Sequence, residues 1–167
     1  MGLIETKWFV ADFPGAVQHT NGPGKAGDID CTAYEWVTID SDQRVVIAVQ
    51  VMEPLPEGWN ALVAAGKADG FIDASVQQGG DSLVGQFDGA QVTQDSATRH
   101  GTTRRRTMML EFEEQGAKGL CNALIVCGAG GNQVIVTSTF FSAEGHAIAQ
   151  KFGQSLRFAD EPEGAPS

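Results

Sequence analysis

Two stretches near the end of the chain constrain its fold most: Leu120 to Cys127 and Val134 to Phe141. Both are apolar at odd and even positions alike. Central strands of a sheet covered on both faces have this pattern, because neither side of the pleat meets water. Around them lie further strand-like segments: Ser82 to Phe87, Ala90 to Arg99, Thr103 to Glu113, Gly119 to Cys127 and Gln133 to Phe141. Their boundaries carry turn signals, namely Asp88-Gly89, His100-Gly101, Gln115-Gly116 and Gly128-Ala129-Gly130-Gly131-Asn132. Turns of this length join antiparallel neighbours. Within Thr103 to Glu113, alternation predicts Met108, Leu110 and Phe112 on one face, with Arg105, Thr107, Met109 and Glu111 on the other.

The first half of the chain is less uniform. A short strand over Lys7 to Asp12 ends at Phe13-Pro14-Gly15, and His19 to Asp28, with Gly22, Pro23, Gly24 and Gly27, predicts an irregular connection. Asp30 to Ile39 and Arg44 to Met52 read as strands joined at Asp40-Ser41-Asp42-Gln43. From Trp59 the positions Trp59, Leu62, Val63 and Gly66 fit a helical face, continuing less cleanly to Phe71 and Ile72 until Gln78-Gly79-Gly80 breaks it. A last helix is expected from Ala143 to about Leu156, with Ile148, Phe152 and Leu156 on one stripe and Ser142 as its N-cap. Many strands, few helices and hairpin-length turns make an α+β chain, an antiparallel sheet with helices packed on it.

A chain of 167 residues suits one domain, here 3–158, and Ala159 to Ser167 is acidic and bears Pro and Gly, so a disordered tail is expected. No apolar run is long enough to span a membrane, and Met1 to Lys7 lacks a basic, apolar leader. A cytoplasmic location is the resulting expectation for the chain as it stands. Eleven Lys+Arg against 21 Asp+Glu give a net charge of -10, which argues against nucleic acid and anionic lipid as partners. Cys121 and Cys127 share a strand and would stand about 20 Å apart, beyond disulfide reach. Reduced, buried thiols at Cys31, Cys121 and Cys127 are the expectation.

Familiar chemistries fail on their own requirements. Gly128-Ala129-Gly130-Gly131 precedes a strand rather than the helix N-terminus that a pyrophosphate needs. Neither Gly66-Lys67 nor Gly24-Lys25 has the upstream glycine and following hydroxyl of a phosphate loop. Asp40-Ser41-Asp42 meets Arg44 where a calcium loop needs oxygen or glycine. No paired cysteine or histidine spacing supports zinc, and no Gly-x-Ser-x-Gly elbow supplies a nucleophile. No cofactor, metal or catalytic residue is therefore expected.

One local feature opposes the overall charge. Arg99, His100, Arg104, Arg105 and Arg106 flank a turn at Gly101-Thr102, with no Asp or Glu from Ser96 to Leu110. Arginines on alternate positions pairing with carboxylates of neighbouring elements is the plainer outcome; an anion or acidic-partner site is the sharper one.

The element order, Phe13-Pro14-Gly15 after the first strand, Asp88-Gly89 between middle strands and Phe152-Gly153-Gln154-Ser155-Leu156-Arg157-Phe158 at the end resemble the PsbP-like superfamily. That superfamily includes the Ran-guanine-nucleotide-release-factor group and the DcrB-like proteins. The resemblance implies a three-layer α/β/α sandwich around an antiparallel sheet, and a non-enzymatic accessory role in binding another protein. Two departures are Ala16-Val17 in place of a second proline and Leu156 in place of Phe. The alternative to a protein partner is a small ligand or anion held between sheet and helix, for which Trp8, Trp36, Trp59 and Phe71 are the candidate lining, with ordinary core packing the plainer outcome for Trp59 and Phe71. An enzyme without a recognisable motif ranks below both.

Overall fold

The computed structural model describes residues 2–159. Its elements, in chain order, are β1 (Gly2–Glu5), β2 (Phe9–Phe13), β3 (Gln18–Ala26), β4 (Ile29–Asp40) and β5 (Val45–Pro54). Then come α1 (Pro56–Ala64), α2 (Ala68–Gly85), β6 (Gln91–His100), β7 (Thr103–Glu114) and β8 (Ala117–Cys127). A short 3-10 turn leads to β9 (Gln133–Phe140), α3 (Ala143–Ser155) and β10 (Arg157–Phe158). Seven strands form one antiparallel sheet in the order β3-β4-β5-β9-β8-β7-β6, and β1-β2-β10 form a small second one. The two segments apolar on both parities are β8 and β9, and β9 is the central strand.

Each face of the large sheet has its own cover. On one side α2 lays Ile72, Val76 and Leu83 on Met108, Leu110, Cys121, Ala123 and Ile125. On the other, the small sheet and α3 bring Phe9, Phe13, Phe152 and Leu156 against Val45, Ile47, Val49, Val136 and their neighbours. Phe13 and Phe152 meet with ring centroids 4.9 Å apart. The result is an α+β sandwich of three layers. The register expected for β7 is observed: Met108, Leu110 and Phe112 are buried beneath α2. Ser142 caps α3 as expected, its hydroxyl accepting from the Gly145 amide at 3.0 Å. All three cysteines are free and buried.

Three expectations are corrected. The connection over His19 to Asp28 is largely β3, an edge strand paired along its length with β4. An edge strand hydrogen-bonds on one side only, so Pro23 and its flanking glycines are tolerated there. The segment buries little, and its sequence therefore lacks a strand's apolar alternation. The helix does not end at Gln78-Gly79-Gly80, nor is Ser82 to Phe87 a strand; α2 continues to Gly85. Gly79 and Gly80 face the sheet, where a side chain would collide. The helical stretch instead breaks earlier, at Gly66, whose φ of 71° lies in the left-handed region between α1 and α2. The expected tail from 160 onward lies outside the described residues, while the Ala159 amide donates to the Trp8 carbonyl at 2.9 Å. Among the described residues no helix is long and apolar enough to cross a membrane.

Candidate functional site

The two covers are not equivalent. The helix α2 packs on β7, β8 and β9, whereas α3 packs on β2, β5 and β9. On the α3 side, β7 and β6 therefore lie beyond the helix. A cleft of 760 Å³ runs between α3 and this uncovered part of the sheet. Its floor comes from Leu124 and Val136, its helical wall from Ala149, Phe152 and Gly153, and its far side from Met109, Thr107 and Gln94. Gly153 is the helix position that opens it, because a Cβ built there meets no atom within 4 Å.

The polar groups converge from four strands, β7, β8, β9 and β10. Asn122 of β8 stands between Met109 of β7 and Ser138 of β9 in the sheet register. Its Oδ1 is buried and accepts no hydrogen bond among the described residues. An amide oxygen removed from water without a donor is unfavourable, so this atom is left for a donor that enters the cleft. Ser138 is buried beside it. Arg105 and Arg157 bring two guanidinium groups to the lining. Arg157 donates to the carbonyls of Gln154 at 3.0 Å and Leu156 at 2.7 Å, closing the C-terminal end of α3, where carbonyls carry partial negative charge.

Strand alternation divides the arginine cluster. Arg104 and Arg106 turn towards α2. The Arg104 Nε donates to Asp73 Oδ1 at 2.7 Å and its Nη1 to the Gly101 carbonyl at 3.0 Å. Arg106 forks onto Asp95 at 2.9 and 2.8 Å, and its Nη1 donates to the Gln77 carbonyl at 2.7 Å and to Asp81 at 3.3 Å. The hydrogen bond from Arg106 holds the Asp95 carboxyl below the usual carboxylate range, and Asp95 in turn raises Arg106. Arg105 points to the opposite face, into the cleft, while Arg99 and His100 are exposed on β6. The five residues thus occupy one end of the sheet but not one surface.

The aromatic residues named as a candidate lining are packed elsewhere. Trp8 and Trp36 belong to the core beneath the small sheet. Trp59 meets Phe71 at 6.0 Å and lies over Gly131, where a Cβ would come within 2.6 Å of its ring. The cleft lining was missed from sequence, although Asn122 was its one signal: a single amide inside the apolar run Leu120 to Cys127. The thiols lie elsewhere; burial pushes Cys121 up to about 11 and raises Cys31 as well. No cluster able to hold a metal ion occurs among the described residues.

No family model and no curated protein matches the chain. Among solved structures it is similar to a protein from Bacteroides thetaiotaomicron, at 12% identity and a TM-score of 0.47. That likeness covers 95% of this chain and 47% of the other, so the chain spans about half that protein's length. It is also similar to PA94 of Pseudomonas aeruginosa, a protein of unknown function described as a putative regulator. There the identity is 10% and the TM-score 0.44, over 88% of this chain and 99% of the other.

Proposed function

We propose that the protein is a non-enzymatic binding module that holds a small amphipathic molecule in the cleft beside α3. The observation that carries this reading is the buried, unsatisfied Asn122 Oδ1 in the wall of a 760 Å³ cleft. Cavities of roughly 300–1,000 Å³ with an apolar lining and a few placed polar groups are typical of ligand sites. The ligand has an apolar body for Leu124, Val136 and Met109, a hydrogen-bond donor for Asn122, and an acidic group beside Arg105. Binding rather than turnover is favoured because, among the described residues, the lining holds no carboxylate, imidazole or thiol, the usual groups of acid–base and nucleophilic catalysis. A non-catalytic role is also what the PsbP-like resemblance implies. A small ligand is preferred to a protein partner at this site because none of the large exposed apolar residues described, Leu3, Ile39, Val46, Leu55, Val63 and Val92, lines the cleft.

Fluorescence titration with anilinonaphthalene sulfonate, an apolar ring system bearing one anion, tests the proposal. Saturable binding is expected for the wild type and for Gly85→Phe, whose new side chain projects from α2 into open space. Gly153→Phe fills the cleft and should abolish it; Arg105→Gln should weaken it. Equal binding by wild type and Gly153→Phe would refute the site.

A further inference from the structure

The outer strand β6 presents a second surface. All ten of its residues are exposed, and it forms one edge of the large sheet. Among the described residues its backbone pairs with β7 alone, leaving a row of N–H and C=O groups on the other side. The opposite edge, β3, is interrupted by Gly22-Pro23-Gly24, and proline cannot donate to an added strand. From Gln91 to His100 there is neither proline nor glycine, and the irregularity in its pairing falls between Val92 and Gln94. Gln94 to His100 is thus a regular edge.

This segment is complementary to itself. Asp95, Ala97 and Arg99 lie on the α2 face, opposite Met108, Arg106 and Arg104. If a second copy runs antiparallel about a two-fold axis at Ala97, Asp95 of each copy faces Arg99 of the other. Ser96 then faces Thr98, and the centre of the joint carries only small side chains. We propose that β6 pairs with β6 of a second copy in this register, joining two seven-stranded sheets into one continuous sheet. Such an interface is isologous, so Asp95, whose two oxygens already accept from Arg106 of its own copy, is shared with Arg99 of the other copy on both sides of the axis at once. Arg99 and Arg104 are cross-strand neighbours of like charge, and each joint brings a carboxylate of the second copy alongside Arg99. On the other face Gln94 lines the cleft, and His100 of the second copy stands opposite it, so the two clefts open onto a shared seam. The pairing itself does not depend on what the cleft holds.

Cysteine cross-linking reads the register directly, because the native thiols are buried. Cross-strand partners have Cα separations of about 4.5–5.5 Å, within disulfide range. Ala97→Cys should oxidise to a covalent dimer. Ser96→Cys and Thr98→Cys should each remain without a covalent cross-link alone and cross-link when mixed. Sedimentation velocity of the cysteine-unmodified chain should show a dimer, and Arg99→Asp, which sets aspartates face to face, should raise its dissociation constant about tenfold. A wild type that sediments as a monomer at every concentration would overturn the proposal. So would single variants that cross-link without register preference, or a dimer indifferent to Arg99→Asp.

Discussion

On the α2 face of the sheet, Gly80 lies where a Cβ would come within 2.7 Å of the Arg106 guanidinium carbon and 2.8 Å of the Met108 sulfur. At its neighbour Gly79 a Cβ would come within 2.9 Å of Gln133, whose amide donates to the Ser75 carbonyl at 2.7 Å. On the α3 face, Gly153 also belongs to a helix that covers the sheet, yet a Cβ there meets nothing within 4 Å. One pair of glycines lets a helix come down onto a layer of buried, aspartate-paired arginines. The other glycine keeps a helix wall thin beside an open cleft. Glycine costs about 1 kcal/mol relative to alanine in either helix. The compensation differs: close packing and ion pairing on one side, and space on the other.

Four substitutions test this contrast. The largest effect should come from Phe152→Ala, which removes the ring that docks α3 on Phe13; a loss of about 3–5 kcal/mol is expected from denaturant unfolding. Gly80→Ala should cost about 1–3 kcal/mol despite the better helix propensity of alanine, because the methyl displaces Arg106 or Met108. Gly153→Ala should do the reverse and raise stability by up to about 1 kcal/mol, since nothing resists the methyl. If both substitutions move the melting temperature in the same direction, the distinction between the two faces is lost.

The smallest effect concerns pH. The folded Asp95 carboxyl titrates below its unfolded value because Arg106 donates to it. Its contribution is complete above the unfolded value of about 4 and disappears as pH falls through the lower, folded one. Wild type and Asp95→Asn should therefore differ in unfolding midpoint near neutrality and converge in acid. The gap should be modest, because the Asp95 side chain is 38% exposed and water screens the pair. A gap that widens on acidification would show that the Arg106 fork is not what sets this carboxyl.

The layers were legible where burial leaves a mark on the sequence. Strands β8 and β9 declared themselves by losing alternation, and β7 by keeping it, because one of its faces lies under α2. Ser142 was readable as a cap because a hydroxyl ahead of an amphipathic helix satisfies an otherwise unpaired amide. Strand β3 was not legible, since an exposed edge imposes no apolar pattern and admits Pro23. Gly79 and Gly80 misled for a related reason: local propensity disfavours them in a helix, and only the partner layer, distant in sequence, explains them. The arginine cluster was visible as composition, but its division between faces follows from strand parity, which separates Arg105 from Arg104 and Arg106. The cleft left the faintest trace, because it arises from where α3 stops. Asn122 and Gly153 mark it, and neither is unusual in isolation.

The proposed ligand site on the α3 face and the closed layer on the α2 face are told apart by a titration of isotope-labelled protein with anilinonaphthalene sulfonate, followed by amide NMR. Saturable shifts are predicted at the Asn122 side-chain amide, Met109 and Gly153, with Ile72, Val76 and Gly80 unmoved. Shifts centred on the α2 residues, or an Asn122 amide that never responds, would contradict the proposed site.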